Sequence, residues 1–405
     1  MDEGLPSALG LTCFLKDALA RRKEEHLYRE RVEMHSAQGA MIERNGRSLV
    51  NFSSNDYLGL ANHPALIEAA VAAAYKTGVG SGSSHLVVGH HWYHHQLEQA
   101  LAQRTGREAA LLFPSGFSAN IGTLSALTDR YDEVFQDRLN HASLIDGARL
   151  SGAKLSRFRH QDLTHLEQLL MRSKARRKLI AVDGVYSMDG DMAPLKELTA
   201  LAKQYNAWLM VDDAHGFGWL GETGGGITDA MSLDQDAVPI LMGTLGKAVG
   251  TYGAFVAGSQ DLIDYLVQFA RPYIYTTATP PLVAAATLAS LQVLNDESWR
   301  RDHLRHLIAL FREQAKVHGL PLMDSSTPIQ PLLTGSADVA LRLSQALLQR
   351  GFLTVAIRPP TVPQGASRLR ITLTAAHTSL QVEQLIAVLV EEWQKIAEGN
   401  HVEQP

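Results

Sequence analysis

Four short apolar runs of this chain each end in a polar or glycine-rich turn, and those turns carry the residue types that could do chemistry. Residues 178–182 lead into Asp183-Gly184-Val185-Tyr186-Ser187-Met188-Asp189-Gly190-Asp191, and residues 207–211 into Asp212-Asp213-Ala214-His215-Gly216. Residues 238–242 lead into Gly243-Thr244-Leu245-Gly246-Lys247, and 109–113 into Pro114-Ser115-Gly116-Phe117-Ser118-Ala119-Asn120. A lysine just past a strand and beside a glycine can approach a ligand closely. Where its surroundings lower its pKa, it forms a Schiff base with a carbonyl. The plainer reading of Lys247 is a solvated surface lysine. An aspartate at a strand end can hold a heteroaromatic ring nitrogen protonated and so make the ring an electron sink. Asp212 can equally be a helix N-cap ahead of Ala214 and His215. The turn Ser115-Gly116-Phe117 opens a helix, whose backbone N–H groups and dipole suit a phosphate; it also fits an ordinary strand–helix turn. Open α/β sheets bind ligands at the carboxyl ends of their strands. Four such turns at one sheet edge therefore point to a single crevice.

The elements that must position these residues follow from the apolar spacing. Runs at 109–113, 133–136, 178–182, 207–211 and 238–242 alternate with helical patterns such as 195–205. That alternation predicts a mostly parallel sheet covered by helices. Upstream, residues 14–33 carry Leu15, Leu19 and Leu27 at amphipathic-helix spacing. Asn45-Gly46 separates candidate strands at 40–43 and 48–52, a hairpin signal. Beyond Pro280-Pro281 a helical stretch over 284–317 precedes a strand–helix–strand pattern at 329–333, 337–349 and 353–356. A further strand at 369–373 and a closing helix to about 397 complete the chain. The expectation is an α/β protein in three parts: an N-terminal helix and hairpin segment over 1–48, a large domain over 49–283, and a smaller α+β domain over 284–405.

Composition excludes several classes. A chain of 405 residues is too long for one ordinary core. Its 45% hydrophobic and 20% charged content is that of a globular protein rather than a disordered one. The formal charge of -5 gives no electrostatic reason to expect nucleic acid or an acidic membrane as partner. Cys13 is the single cysteine, so no internal disulfide forms. Asp2 and Glu3 stand where a signal peptide carries positive charge, and no apolar run approaches the ~20 residues that span a bilayer. A cytoplasmic location is expected.

The two motifs Asp212-Asp213-Ala214-His215-Gly216 and Thr244-Leu245-Gly246-Lys247 resemble the fold-type I pyridoxal-phosphate enzymes, and more narrowly the α-oxoamine synthases. The resemblance runs from about Leu49 to His377. It takes in Asn51-Phe52-Ser53-Ser54-Asn55-Asp56-Tyr57-Leu58-Gly59-Leu60, Gly80-Ser81-Gly82, Ser187-Met188-Asp189-Gly190-Asp191 and Tyr275-Thr276-Thr277-Ala278-Thr279-Pro280-Pro281. It implies pyridoxal 5'-phosphate as cofactor, with Lys247 as the Schiff-base lysine and Asp212 beside the pyridinium nitrogen. His215 would bond the ring's phenolic oxygen, and His141 would stack on the ring. Gly116 and Phe117 would meet the phosphate, and Ser187 and Thr244 would make further polar contacts. Thr276 and Thr277 match phosphate contacts that the family supplies from the other subunit, which implies a homodimer with shared sites. Arg370 matches the arginine that clamps an amino-acid carboxylate, a planar anion that suits a guanidinium fork.

Within the family, Ala356-Ile357-Arg358-Pro359-Pro360-Thr361-Val362-Pro363 is most similar to the members that condense L-alanine with a pimeloyl thioester on the route to biotin, releasing CO2 and a free thiol. Ser53-Ser54-Asn55-Asp56 and Leu373-Thr374-Ala375-Ala376-His377 agree. Thr361 and Asn55 would then lie at the substrate, and Arg29 near the acyl chain or its carrier, although a solvated helix face is the plainer reading of Arg29. The carrier is either coenzyme A or an acyl-carrier protein. The alternative is an α-oxoamine synthase that takes glycine or serine with another acyl thioester.

Other chemistries fit less well. Gly89-His90-His91-Trp92-Tyr93-His94-His95 is rich in imidazole, but adjacent pairs rarely present every member to one ion, and no cysteine or carboxylate in the run completes a set. No metal is expected. Gly78-Val79-Gly80-Ser81-Gly82 follows no strand and so fails as a dinucleotide fingerprint. A catalytically dead scaffold subunit would be expected to lack Lys247, which is present.

Overall fold

The computed structural model describes residues 10–25, 27–29 and 31–402, the side chains of 397–402 excepted. Asp2 and Glu3 lie outside the described residues. The hairpin at Asn45-Gly46 forms as β1 (Met41–Arg44) and β2 (Arg47–Asn51). The central sheet is built from β3 (Ala109–Phe113), β4 (Glu133–Asp137), β5 (Lys154–Phe158), β6 (Lys178–Asp183), β7 (Ala207–Asp212), β8 (Ile240–Thr244) and β9 (Ala254–Gly258). Its spatial order is β3-β9-β8-β7-β6-β4-β5. The five strands from β8 to β5 are parallel, and β9 runs antiparallel between β3 and β8.

The apolar runs are unbroken because both faces of this sheet are covered. Successive side chains point to opposite faces. Leu179, Ala181 and Met210 accordingly join one core cluster with Leu111, Phe113 and Met242. Ile180, Val182, Leu209 and Val211 join the other with Phe135 and Leu241. Each fully buried Leu, Ile or Val here contributes ~1.5–3 kcal/mol.

Two strands escape the sequence pattern. β5 is one of the sheet's two edge strands, and its Lys154, Ser156 and Arg157 dilute the apolar signal. β9 is buried throughout, but its short alanine- and glycine-containing run carries little periodicity. The helix expected over 14–33 forms over Leu11–Glu24, with no buried residue.

The C-terminal part holds β10 (Ile329–Gly335), β11 (Phe352–Leu353), β12 (Val355–Ile357) and β13 (Ser367–Thr372). β10, β13 and β12 form an antiparallel sheet. The strand expected at 353–356 is divided at Thr354, and its first half, β11, pairs with β2 instead. The helix expected over 284–317 is two helices, Pro281–Asp296 and Trp299–Val317. No glycine or proline marks the break. One bond across the break and one to distant chain hold it: Arg301 Nη1 donates to the Leu294 carbonyl at 2.6 Å, and Arg300 Nη1 to the Leu58 carbonyl at 3.1 Å. One core cluster joins Phe52, Leu97 and Phe255 to Leu304, Leu369 and Leu385, so the two parts share apolar packing. Among the described residues no helix is long and apolar enough to cross a membrane.

The turn after β6 touches the C-terminal sheet at Gly190. Its carbonyl accepts from Ser325 Oγ at 2.8 Å and Thr327 Oγ1 at 2.9 Å. With φ at +75°, a Cβ at this position would collide with the Ile329 carbonyl and Ser325 Oγ. Gly190→Ala should therefore lose more than the ~1–3 kcal/mol that a left-handed conformation alone costs. Gly319→Ala, at φ +66° in open space, should lose about that strain alone. Equal urea midpoints for the two variants would contradict the close approach.

Candidate active site

The carboxyl ends of β3, β6, β7 and β8 open into one cavity of about 210 Å³. Gly116, Phe117, His141, Ser187, Asp212, His215, Thr244 and Lys247 all line it. These are the cofactor residues of the resemblance with the exception of Thr276 and Thr277.

Lys247 sits in the turn after β8, its side chain half-buried and its amine directed into the cavity. Its Nζ lies 2.8 Å from His215 Nε2, and His215 Nδ1 lies 2.5 Å from the Tyr57 hydroxyl. Burial lowers the lysine to about 8, while the Asp212 and Asp183 carboxylates oppose the shift. Burial, then the charge on Lys247, hold His215 well below the usual imidazole range. Burial pushes the Tyr57 hydroxyl up to about 12. A neutral imidazole between a phenol and an amine is the result. The solvated-lysine reading does not survive this enclosure.

Asp212 ends β7. Its Oδ1 accepts the Ala214 N–H at 3.0 Å, so the turn bond of the plainer reading is present as well. Its Oδ2 accepts from Asn120 Nδ2 at 2.7 Å. Asn120 lies one helical turn after Gly116 on the helix Gly116–Leu127, which presents both to the same cavity. Asn120 Nδ2 also reaches Ser143 Oγ at 2.8 Å, which lies 2.7 Å from His141 Nδ1. The His141 N–H donates to Asp183 Oδ2 at 3.0 Å. Burial, then the neighbouring Asp212, push the Asp183 carboxyl well up. Asp183 Oδ1 and Asn120 Oδ1 are buried with no hydrogen-bond partner. At the start of the Gly116–Leu127 helix, Ser115 takes the N–H groups of Ser118 and Ala119. Those of Gly116 and Phe117 remain available to an anion. Thr244 Oγ1 bonds the Gly253 carbonyl at 3.1 Å, which ties β8 to β9.

The Ser187 turn is held from two sides. His160 Nδ1 meets Asp137 Oδ1 at 3.0 Å and its Nε2 meets Asp191 Oδ2 at 2.7 Å. Against the burial that would lower it, these two carboxylates raise His160 to about 10, so it stays a cation that ties the turn to β4. On the other side stands β13, whose Arg368 and Arg370 share a face. Arg368 Nη1 bonds Asp189 Oδ1 at 2.5 Å. Arg370 donates to the Ser187 carbonyl at 2.8 Å, Asn55 Oδ1 at 3.1 Å and Thr372 Oγ1 at 3.0 Å. All three acceptors are neutral, and three of the five N–H groups are used. Arg370 thus keeps a positive charge that no carboxylate compensates among these contacts.

A second cavity of about 630 Å³ shares His141 and Ser187 with the first. Arg29 and Thr361 line it, both exposed. Thr276 and Thr277 lie outside both cavities, in the segment before the helix Pro281–Asp296. The residues that sequence reading left without a role are Asn120, Ser143, Asp183 and Tyr57. Asn120, Asp183 and Tyr57 stand inside the quoted motifs, and Ser143 lies two residues after His141. Their signal was the spacing from an assigned neighbour, as with Asn120 four residues after Gly116.

The seven-stranded α/β sheet with Lys247 at a strand end has known relatives. The family model for aminotransferase class I and II matches residues 47–389, and the chain belongs to that family. Within it, the chain is 57% identical to the 8-amino-7-oxononanoate synthase of Cellvibrio japonicus (strain Ueda107) over 96% of its length and 97% of the relative's. It is 56% identical to the enzyme of that name from Nitrosococcus oceani, over 92% of this chain and 99% of the relative. Among solved structures, serine palmitoyltransferase from S. paucimobilis with bound PLP superposes with a TM-score of 0.90 at 29% identity. That match covers 97% of this chain and 100% of the other. An 8-amino-7-oxononanoate synthase from Francisella tularensis gives 0.76 at 32% identity, over 86% of this chain and 99% of that one.

Burial of Lys247 has a consequence for stability. Its folded pKa, about 8, lies below the 10.5 of a free lysine side chain. Between these values the unfolded chain binds a proton that the folded chain does not, so stability rises with pH across that window and is lost as pH falls through about 8. Measured without added ligand, wild-type stability should gain up to about 1.4 kcal/mol per pH unit relative to Lys247→Met. Parallel urea midpoints for the two proteins from pH 8 to 10 would contradict the buried amine.

Proposed function

We propose that this chain is a pyridoxal-phosphate-dependent acyltransferase that condenses L-alanine with a pimeloyl thioester, giving 8-amino-7-oxononanoate, CO2 and a free thiol. The observation that carries the proposal is the enclosed amine of Lys247 in one cavity with the Asp212 carboxylate and the open N–H groups of Gly116 and Phe117. The relatives' name supplies the substrates. The donor set fits pyridoxal phosphate: an amine for its aldehyde, a carboxylate for its ring nitrogen, a helix N-terminus for its phosphate and the His141 imidazole for its ring. The unpartnered Asp183 Oδ1 and Asn120 Oδ1 leave polar demand inside the same cavity. When bound, the cofactor supplies an electron sink for the carbon that bears the amino group.

The chain's own residues do the rest. Lys247, its pKa lowered toward neutrality, takes the α-proton of alanine as a free amine and returns one at the end. His215 and Tyr57 hold the amine in place through neutral hydrogen bonds. Asn120 and the Ala214 N–H fix both oxygens of Asp212 toward the ring nitrogen. Arg370, with its uncompensated charge, binds the alanine carboxylate, and Asn55 and Ser187 orient its fork. The larger cavity receives the acyl chain, with Arg29 and Thr361 at its wall. The working unit is a homodimer in which Thr276 and Thr277 reach the partner's phosphate, which accounts for their distance from the cavity of their own chain. Its expected place is the cytoplasm.

Assays of substrate, carboxylate clamp and assembly test this. Alanine with a pimeloyl thioester should yield one CO2 and one thiol per product, with glycine or serine, and acetyl or succinyl thioesters, far poorer. Best efficiency with glycine and a short thioester would keep the family and withdraw the substrates. Arg370→Lys should raise the alanine KM nearly as much as Arg370→Ala, since an ammonium cannot reproduce the fork. For the dimer, mixing Lys247→Ala chains with Thr276→Ala/Thr277→Ala chains should restore activity, because one site of each mixed pair is intact. A fully active monomer in sedimentation would overturn the shared site.

A further inference from the structure

The imidazole-rich run at 85–95 takes no part in the chemistry above, and the structure sorts its members. His91 and His94 are structural. The His91 Nδ1 caps the helix Trp92–Thr105 by accepting the Tyr93 N–H at 3.3 Å, and His94 Nδ1 accepts the His91 N–H at 3.0 Å. His94 Nε2 then donates to the Thr279 carbonyl at 2.7 Å, so both its nitrogens are committed. That leaves His85, His90 and His95. His85 and His90 bracket a five-residue π-helical turn, His85–Gly89, which brings their Nδ1 atoms within 2.9 Å of each other. His95 and Glu98 lie three residues apart on the following helix, one turn from each other on one face.

We propose that His90, His95 and Glu98 bind one divalent transition-metal ion of the zinc class, with His85 as the residue that orients His90. Ligand atoms of these three side chains all lie within 4.8 Å of one another. His90 Nε2 and Glu98 Oε2 stand 3.8 Å apart. That is too far for a hydrogen bond. Two ligands at Zn–N and Zn–O distances of ~2.0–2.2 Å in tetrahedral geometry sit about 3.4 Å apart, so closing on a shared ion takes a few tenths of an ångström. When the His90 Nδ1–H donates to His85 Nδ1, the lone pair of His90 Nε2 faces Glu98, which is the tautomer a ligand needs, and His85 fixes the ring from behind. His85 is itself fixed, stacked on Tyr273 at 5.1 Å. Glu98 is secured on its far side, where Oε1 accepts the Leu112 N–H at 3.1 Å. Its side chain is only 13% exposed, and no lysine or arginine pairs with it among the described residues. His95 Nε2 accepts from the exposed Gln99 amide at 3.1 Å, a contact the ion replaces. Water completes the coordination, since the His90 side chain is 32% exposed. Two imidazoles and one carboxylate suit Zn2+, Co2+ or Ni2+ rather than the oxygen-seeking Mg2+ or Ca2+. The sequence run lacked a carboxylate within itself, and the helix supplies it from Glu98.

The test uses holoenzyme stripped with a chelator, then dialysed against Zn2+ at micromolar concentration and assayed for metal by elemental analysis. Wild type should take up about one equivalent per chain. His90→Ala, His95→Ala and Glu98→Gln should each weaken binding more than ~10-fold, and His85→Phe by ~10–100-fold through loss of the orienting bond. Retained visible absorption of the bound cofactor identifies variants that have kept their fold. Uptake below half an equivalent by wild type, or uptake that the three ligand variants keep, overturns the site.

Discussion

Asp183 and Asp212 end neighbouring parallel strands in register, and that pairing brings two buried acids together at the cavity floor. Adjacent strands lie ~4.8 Å apart. Two carboxylates on neighbouring strand ends repel, and the neighbouring Asp212 accordingly raises Asp183. The fold answers in three ways. Asp183 is pushed toward its neutral form. Asn120 and the Ala214 N–H bond the Asp212 oxygens. Lys247, from the turn after the next strand, brings an amine whose burial penalty the two acids partly offset. Each partner depends on the parallel order of β6, β7 and β8, so the sheet's topology and the site's electrostatics are one constraint.

That constraint explains what could be read in advance. Parallel strands buried on both faces have continuous apolar runs, so β6 and β7 stand out, and the polar residues that end them are visible by contrast. Lys247, Asp212 and Gly116 were legible for this reason. Asp183 was visible but bland, because nothing in a sequence says that two strand ends are neighbours. Asn120 was harder still. It acts from a helix interior, where an asparagine reads as a weak helix former, and only its partners across β7 and at Ser143 explain it.

Other misses have the same origin. The break at 296–299 has no glycine or proline, and it exists because Arg300 and Arg301 bond carbonyls of Leu58 and Leu294. The division at Thr354 sends β11 to β2 and β12 to β13, a choice made by two different sheets and by no local signal. The carboxylate that completes the imidazole cluster lies on a helix beyond the run that drew notice. Two of these contacts cross a long stretch of chain, Arg300 to Leu58 and β11 to β2.

The two arginines of β13 show how structure assigns roles that residue type leaves equal. Arg368 and Arg370 point to one side of the strand and both reach the turn after β6. Asp189 neutralises Arg368, which makes it a staple between the C-terminal sheet and the turn. The same turn is anchored to β4 by His160 and closed against Ser325 and Thr327 at Gly190. With the staple made by its neighbour, Arg370 is held by neutral oxygens, so its geometry is fixed while its charge is left uncompensated by these contacts. A guanidinium bound by a carboxylate of its own chain would have to exchange one ion pair for another on meeting an anionic substrate. Held by carbonyl and hydroxyl groups, it gains the whole interaction. The neighbour's ion pair is thus what lets the C-terminal sheet hold a preorganised cation against the Ser187 turn, which lines the cavity.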